Sequence, residues 1–376
     1  MHSFFQGGTS GVGTEIVRNM AERGAQIVLL TQHPLSDPFL ADYIGELRTS
    51  TGNELITAIQ VDLSSLHSVR AFATKWIDNA PPRRLDMIIL CANTMTPKGG
   101  SIQVTDEQVE ENWQVNYLAN FHLLSILSPA IRAQPPDRDV RIIFGACSSY
   151  IGGELPVTPK AASDEKEAKS SPAKTDSKAV KAAEFKPAAA YATSKLALMT
   201  FALAFQKHLS SYSRPDKNPM NARVFLVDPG YTRTPGMRRY LSWGSLFGLL
   251  LSGLMYPFWW VVLKSPEQGA QTFLYAAMEA RFGRGEGGWY LKECREMNMG
   301  RKDLGDEALQ KGLWEYSENM VQEAEKRGAL KRAEAKNKDK KVVEVVDEEE
   351  EVKGEKKAKE QPAKTKTNGS RRSKRA

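Results

Sequence analysis

The sequence is poor in cysteine and histidine, and this scarcity excludes several kinds of chemistry. Its 376 residues include three cysteines and five histidines. Cys91, Cys147 and Cys294 are widely spaced and odd in number, so they predict neither a disulfide framework nor a metal site. We expect reduced thiols and no metal. Met1–Gln6 is too short for a secretory signal, so we also expect a protein that is not secreted.

Most of the chain has no excess of basic residues, although the net charge is +7. Residues 331–376 hold 16 Lys and Arg against 10 Asp and Glu, and residues 157–187 hold seven against five. The rest of the chain is therefore close to neutral, which argues against a nucleic-acid partner. Low complexity predicts a disordered insertion over 157–187 and a disordered tail over 331–376, the latter after a helical extension at 301–330.

Charged residues are absent from Leu241–Leu263, a segment with three tryptophans. Its length would suffice to cross a bilayer. A single crossing would separate the strand before it from the helix after it, and Pro257 disfavours one continuous helix. We therefore expect a segment that enters and leaves a lipid surface on one side, or a lid over an apolar pocket. The two alternatives are compatible.

Short apolar runs alternate with helical patterns along residues 1–300. This alternation is typical of a parallel sheet covered by helices on both faces, an α/β doubly wound fold. After a short first strand at Ser3–Phe5, the predicted strands are Ile27–Leu30, Ile56–Val61, Met87–Leu90, Arg141–Phe144 and Ala222–Val227. The predicted helices are Thr14–Arg23, Val69–Asp78, Glu107–Arg132, Tyr191–Leu209 and Pro266–Arg281.

A glycine-rich loop, Gly7–Gly13, lies between the first predicted strand and the first helix. Glycines there permit a tight turn and a close approach of the backbone to a pyrophosphate, and the helix N-terminus favours an anion. After the second strand, Thr31–His33 contains neither an acid for a ribose hydroxyl nor an arginine for a 2′-phosphate. The missing acid favours NADP over NAD weakly. The choice of cofactor stays open.

Tyr191 and Lys195 are four positions apart at the start of a predicted helix, so they lie on one helical face. A neighbouring ammonium favours the phenolate and lowers a tyrosine pKa from its usual value of about 10. Such a pair can exchange a proton with a carbonyl or alcohol oxygen. By itself this spacing also arises by chance on exposed helices.

The order of six motifs makes the chain resemble the short-chain dehydrogenase/reductase family over about residues 4–300. These motifs are the glycine loop, Asp62-Leu63, Asn116, Ser148-Ser149, Tyr191 with Lys195, and Pro229-Gly230. Val61–Phe72 and Lys264–Gln271 resemble the retinol-dehydrogenase-like branch. The apolar segment is similar to that of fungal lipid-droplet oxidoreductases of this branch.

The resemblance implies a Rossmann fold and a reaction that interconverts an alcohol and a carbonyl with a nicotinamide cofactor. Tyr191 would exchange the proton with the substrate oxygen, and Lys195 would lower the pKa of Tyr191 and bind the nicotinamide ribose. Ser149 would hydrogen-bond the substrate oxygen, and Asn116 would hold a water in the proton relay. The other implied cofactor contacts are Gly7, Thr9, Ser10, Gly11, Val12, Gly13, Asp62, Leu63, Pro229, Gly230 and Thr232.

Several departures keep alternatives open. The family's Asn-Asn-Ala-Gly motif is replaced here by Leu90–Asn93, and Ser148 could serve in place of Ser149.

We expect a hydrophobic substrate, such as a retinoid, a sterol or a fatty aldehyde, on the cytoplasmic face of a membrane or lipid droplet. The alternative function is a catalytically impaired relative that acts as a scaffold on that surface. The oligomeric state stays open, with a homodimer among the alternatives.

Overall fold

The computed structural model describes residues 2–78, 83–157 and 185–359, with side chains described to residue 335. The chain divides into two compact units, Met1–Gly328 and Ala329–Ala376. The sheet, the candidate site and the contacts discussed below belong to the first unit.

An eight-stranded sheet forms the centre of the first unit, in the order β3-β2-β1-β4-β5-β6-β7-β8. All neighbours are parallel except β7 and β8. The strands are β1 His2–Gln6, β2 Gln26–Thr31, β3 Ile56–Gln60, β4 Met87–Leu90, β5 Val140–Gly145, β6 Ala222–Asp228, β7 Trp289–Lys292 and β8 Arg295–Glu296. The strand order reverses at β1 and β4, so a crevice opens there at the carboxyl ends of the strands. The predicted doubly wound α/β fold is confirmed.

Helices cover both faces of this sheet. They are α1 Gly11–Glu22, α2 Pro38–Thr51, α3 Leu66–Ile77, α4 Glu111–Trp113, α5 Ala119–Arg132, α6 Pro187–Ser210, α7 Pro235–Leu241, α8 Leu246–Leu254, α9 Tyr256–Val262, α10 Pro266–Met278 and α11 Glu307–Lys359. One apolar core lies between the sheet and α3, α5 and α6, and a second lies between the sheet and α1, α2 and α10. Every central strand is therefore buried on both sides, which explains its continuous apolar sequence.

The long helix predicted over Glu107–Arg132 is interrupted in the structure. Helix α4 leads into a π-helical turn, Gln114–Leu118, before α5 begins. A π-turn inserts an extra residue into the helical ladder and is frequent at functional sites. The turn contains Asn116, one of the predicted site residues. Hydrophobic periodicity did not reveal the interruption, because a single turn shifts the pattern by only one position.

Helix α11 begins at Glu307, within the predicted extension, and packs on the first core. Its Trp314 lies with ring centroids 5.5 Å from Phe121 and 5.6 Å from Phe201, and its Ser317 Oγ lies 2.5 Å from the hydroxyl of Tyr117. The helix is described to Lys359. Disorder of the tail from residue 331 stays a prediction.

Other elements were not predicted from the sequence. They are α2, whose apolar face is narrow, and the short strands β7 and β8. The predicted disordered insertion lies outside the described residues over 158–184. Helix α6 starts directly after it, with Pro187 in its first turn.

We predict that α11 is an integral part of the fold. Leu313 is 1% exposed, so Leu313→Ala should lower the free energy of unfolding by about 2–5 kcal/mol through lost burial and a cavity. Denaturant unfolding measures this change. Lys311→Ala, on an exposed face of the same helix, is the control and should change stability by less than about 0.5 kcal/mol. Equal stability of the two variants would contradict the packing of α11.

Candidate active site

The glycine-rich loop connects β1 to α1 at the crevice. Gly7 has a φ of +81°, and a Cβ there would lie 2.5 Å from the backbone nitrogen of Ala92. A Cβ on Gly13 would lie 2.0 Å from the carbonyl oxygen of Gly7. Side chains are excluded at both positions, because the loop is pressed against α1 on one side and the end of β4 on the other.

The first turn of α1 fits the phosphates of a dinucleotide. Ser10 is the N-cap residue, but its side chain accepts no capping hydrogen bond. The first amides of the helix, those of Gly11, Val12 and Gly13, therefore have no side-chain cap and face the crevice end of the helix. A Cβ on Gly11 would contact Thr234 at 3.1 Å, so the residues after β6 lie directly beside this turn.

The remaining predicted cofactor residues lie at the same edge of the sheet. Asp62 and Leu63 follow β3, and Asp62 Oδ1 accepts hydrogen bonds from the backbone nitrogen and the hydroxyl of Ser64 at 2.9 and 2.7 Å. Pro229 and Gly230 follow β6. Thr232 is buried, and its hydroxyl donates to the carbonyl of Gly230 at 3.2 Å. Residues that are far apart in sequence thus meet because parallel strands end together.

The first acid after β2 is Asp37, at the N-cap of α2. Thr31 accepts a hydrogen bond from the amide of His33. His33 Nδ1 lies 3.2 Å from Asp37 Oδ2, and Asp37 caps α2 through the amide of Phe39. The nearest carboxylate after β2 is therefore used within its own turn.

Tyr191 and Lys195 come together on the face of α6 that packs against β5. The Lys195 ammonium donates to the carbonyl oxygen of Gly145 at 2.9 Å and lies 5.6 Å from the centroid of the Tyr191 ring. Lys195 is buried. The hydrogen bond ties the helix to the carboxyl end of the strand, which aligns the phenol with the crevice.

Burial dominates the proton affinities of this pair. It raises the pKa of Tyr191 well above 10, and Cys147, Asp228 and Cys91 add to the rise. Burial lowers the pKa of Lys195, while the two thiols and Asp228 raise it. The expected lowering of the Tyr191 pKa by Lys195 stays a prediction, since the net direction of that pKa is set first by burial of the phenol. Tyr191 is a protonated phenol near neutral pH.

The two candidate serines have different surroundings. The Ser148 hydroxyl donates to the carboxylate of Asp228 and accepts from Lys292 Nζ at 2.7 Å. The Ser149 hydroxyl is buried and has no hydrogen-bond partner among the described residues. Both serines begin the 3-10 helix Ser148–Gly152, which packs on α6 at a point where a Cβ on Gly153 would strike the Ala192 carbonyl at 2.6 Å.

Asn116 holds the chain that follows β4. Its side-chain oxygen accepts from the backbone nitrogen of Thr94 at 2.7 Å, and its nitrogen donates to the Thr94 carbonyl at 2.9 Å and to Ser194 Oγ at 3.0 Å. The amide of Asn120 donates to the Asn116 carbonyl. These contacts join the π-turn, the segment after β4 and α6 in one network beside Lys195.

The altered segment Leu90–Asn93 keeps its place in the backbone. The backbone nitrogen of Cys91 donates to the carbonyl oxygen of Gln6 at 3.0 Å, and the backbone of Ala92 lies against Gly7. The Cys91 thiol is buried, which raises its pKa to about 11. The structural contribution of this segment therefore survives the change of its side chains.

The apolar segment forms α8 and α9. These helices lie within residues 233–263, which we call the flap. Its ends are joined, because Thr232 and Lys264 form a parallel bridge and Arg233 donates its amide to the Lys264 carbonyl at 2.9 Å. A Cβ on Gly11 would lie 3.1 Å from Thr234 and one on Gly244 would lie 3.2 Å from Pro97, so the flap lies close to the glycine loop and to the segment after β4. Large apolar side chains are exposed along it, including Leu246, Phe247, Leu250, Leu254, Trp260 and Val261.

Among the described residues, one helix is long and apolar enough to cross a membrane, Pro187–Ser210. This is α6, which carries Tyr191 and Lys195 and is mostly buried in the domain.

Comparison with known proteins agrees with this geometry. The short chain dehydrogenase model matches residues 4–151. The uncharacterized oxidoreductase pbr1 of Schizosaccharomyces pombe is 40% identical over 326 residues, covering 87% of this chain and 82% of that protein. The chain belongs to the short-chain dehydrogenase family. Human retinol dehydrogenase 13 is 25% identical, and the match covers 84% of this chain and 82% of that protein. This agrees with the predicted retinol-dehydrogenase-like branch.

The family fold is also found by comparison of structures. L-sorbose reductase from Gluconobacter frateurii, solved with NADPH and L-sorbose, superposes with a TM-score of 0.51 at 19% identity. The match covers 78% of this chain and 95% of that chain. As a short-chain dehydrogenase, the chain has the fold of a nicotinamide-dependent oxidoreductase.

Two residues of the site, Asp228 and Lys292, were not predicted from the sequence. Asp228 immediately precedes Pro229-Gly230, and an acid within an otherwise apolar buried run was the signal for it. Lys292 lies on β7, which was not predicted, so no signal placed it near Ser148.

We predict that the glycine loop is required for cofactor binding. Gly13→Ala places a methyl group on the Gly7 carbonyl and should weaken NADPH binding at least roughly tenfold, which a fluorescence titration measures. Gly45→Ala is the control, since nothing lies within 4 Å of its new Cβ. Equal affinities in the two folded variants would disprove the role of the loop.

Proposed function

We propose that this short-chain dehydrogenase interconverts a hydrophobic carbonyl compound and its alcohol at a lipid surface, with NADP as cofactor and Tyr191 as general acid and base. The observation that carries the proposal is the arrangement at the carboxyl end of β5. There the buried hydroxyl of Ser149, which has no partner among the described residues, lies on the 3-10 helix that packs on α6, the helix that carries Tyr191 and Lys195.

The chain's own groups suit this reaction. An unpartnered buried hydroxyl costs free energy, and a substrate oxygen would supply the missing hydrogen bond. Tyr191, protonated near neutral pH, can donate a proton to a carbonyl oxygen as the carbon is reduced, and can take it back in the reverse direction. When the cofactor binds, the Lys195 ammonium would lie close to the nicotinamide ribose. The bound nicotinamide supplies or accepts the hydride.

The cofactor site supports a dinucleotide at the glycine loop and the end of β6. We favour NADP because no acidic side chain after β2 is placed to accept from a ribose 2′-hydroxyl, and an acid there would repel a 2′-phosphate. Asp37, the nearest acid after β2, is engaged by His33 and by the helix it caps. The L-sorbose reductase structure contains NADPH in the same fold.

The flap supports both an apolar substrate and a lipid surface. It lies close to the glycine loop and to Pro97 at the crevice, so a substrate that enters the crevice there would pass the apolar side chains of the flap. Its exposed apolar residues form a continuous run without a charge, which a water-soluble surface rarely presents. Because its two ends are bridged at Thr232 and Lys264, the flap can enter a lipid monolayer or leaflet only from one side. Retinol, named in one relative, is a substrate of the same apolar kind.

A catalytically impaired scaffold is the alternative. The altered Leu90–Asn93 segment favours it, although its backbone contacts are intact. The contact of Lys195 with the Tyr191 ring and the unpartnered buried hydroxyl of Ser149 among the described residues argue against it, since a scaffold needs neither.

Substitution of Tyr191 and of the two serines tests the chemistry. Tyr191→Phe should lower the rate of reduction of retinal or a long-chain aldehyde by about 10²–10⁴-fold, because the proton donor is lost. Ser149→Ala should lower it by about 10²-fold, since one hydrogen bond to the substrate oxygen is lost. Both variants should still bind NADPH, which the fluorescence titration checks.

Ser148→Ala is the matched control for the second serine. If it impairs turnover more than Ser149→Ala, the assignment of Ser149 is wrong. A wild-type protein that binds NADPH but reduces no carbonyl compound would favour the scaffold. Absence of any nicotinamide binding would refute the proposed function.

Charged substitutions in the flap test the lipid surface. Phe247→Glu and Leu250→Glu replace side chains that are 71% and 76% exposed, and each should reduce co-flotation with phospholipid-coated oil droplets at least roughly tenfold. Phe39→Glu, at a position 85% exposed on α2, controls for a general effect of charge on an exposed aromatic. Flotation that is unchanged in both flap variants would refute attachment through the flap.

A further inference from the structure

Asp228, the last residue of β6, has a buried carboxylate at the centre of a hydrogen-bond cluster. The side chain is 2% exposed. It accepts hydrogen bonds from the Ser148 hydroxyl, from the Tyr290 hydroxyl at 3.1 Å and from the Gly230 amide at 2.9 Å. Lys292 Nζ lies 3.5 Å from the same carboxylate. A buried charge persists only where hydrogen bonds and a counter-charge compensate it, and this cluster supplies both.

The same carboxylate lies on the strand next to the Tyr191–Lys195 pair. Lys195 donates to the carbonyl oxygen of Gly145, and Gly145 is paired across the sheet with Val227, the residue before Asp228. The groups that face the pair come from the ends of three adjacent strands: Cys91 after β4, Cys147 after β5 and Asp228 on β6. Cys91 is a neutral thiol near pH 7, because burial raises its pKa to about 11. Asp228 is the carboxylate among these groups. Tyr290 and Lys292 reach it from β7, on the far side from Lys195.

The cluster also decides what each serine can do. Ser148 donates its one hydroxyl proton to Asp228 and receives a hydrogen bond from Lys292, so it has no proton left for a substrate oxygen. Ser149, the next residue in the same 3-10 helix, retains its donor. The carboxylate thereby anchors the start of the helix that presents Ser149.

We propose that Asp228 is a positioning residue of this active site: its carboxylate supplies the negative charge beside the buried Tyr191–Lys195 pair and holds Ser148 away from the substrate, so that Ser149 alone binds the substrate oxygen. The inference rests on the proposed function for its consequence in catalysis. Its physical content, the influence of one carboxylate on the proton affinity of one phenol, can be measured without turnover.

The first test follows the protonation of Tyr191 directly. Tyrosine labelled with ¹³C at Cζ is titrated by NMR in the full-length wild type and in Asp228→Asn, with Tyr191→Phe in each background to assign the signal. Removing a negative charge beside a phenol makes its ionisation easier, so the pKa of Tyr191 should fall by about one unit or more in Asp228→Asn. Tyr290→Phe removes a hydrogen bond but keeps the carboxylate, and should leave this titration at its wild-type position.

The second test uses the rate of alcohol oxidation with NADP⁺, which needs the deprotonated phenol and therefore rises with pH. The rising limb should move to lower pH by about one unit in Asp228→Asn. Lys292→Met removes the ammonium that offsets the carboxylate, so the limb should move to higher pH. Opposite shifts distinguish a charge effect from loss of structure, which lowers the rate at every pH without moving the limb.

The outcomes separate this inference from the proposed function. An unchanged Tyr191 titration in a folded Asp228→Asn protein overturns the inference, whatever the activity of the wild type. If Asp228→Asn does not fold, an unshifted rising limb in Lys292→Met overturns it instead. A wild type that fails to turn over any carbonyl or alcohol, while its Tyr191 titration shifts as expected in Asp228→Asn, refutes the proposed function and leaves the inference supported.

Discussion

The hydrogen bond from the buried ammonium of Lys195 to the carbonyl of Gly145 is the interaction on which the rest of the site depends. It connects α6 to the carboxyl end of β5, where the crevice of the sheet opens. An ammonium removed from water is costly, so its surroundings must supply polar partners and negative charge. The chain supplies them from the backbone of β5 and from Asp228 at the end of β6. The phenol of Tyr191 is placed by the same contact.

Burial then determines how this site can work. Loss of solvent raises the pKa of Tyr191 and lowers that of Lys195, so the phenol holds its proton near neutral pH and can donate it. Asp228, at the end of β6, raises the pKa of both residues. The proton affinity of two residues on one helical face therefore also depends on a residue of another strand.

The flap adds a second constraint, which is topological. Its ends are joined at Thr232 and Lys264 beside the glycine loop, so its long apolar run cannot be drawn through a bilayer away from the domain. In the proposed function, contact with lipid and access of a hydrophobic substrate to Tyr191 would both depend on this one element.

The sequence by itself determined the parallel sheet, the glycine loop and the pairing of Tyr191 with Lys195, because these depend on short-range periodicity and fixed spacing. It did not determine α2, β7 or the π-turn at Asn116, whose local patterns are weak. Only the tertiary structure showed the different surroundings of Ser148 and Ser149 and the burial that raises the pKa of Tyr191. Both depend on burial and on Asp228 and Lys292, which reach the site from strands distant in sequence, and no local pattern reports such contacts.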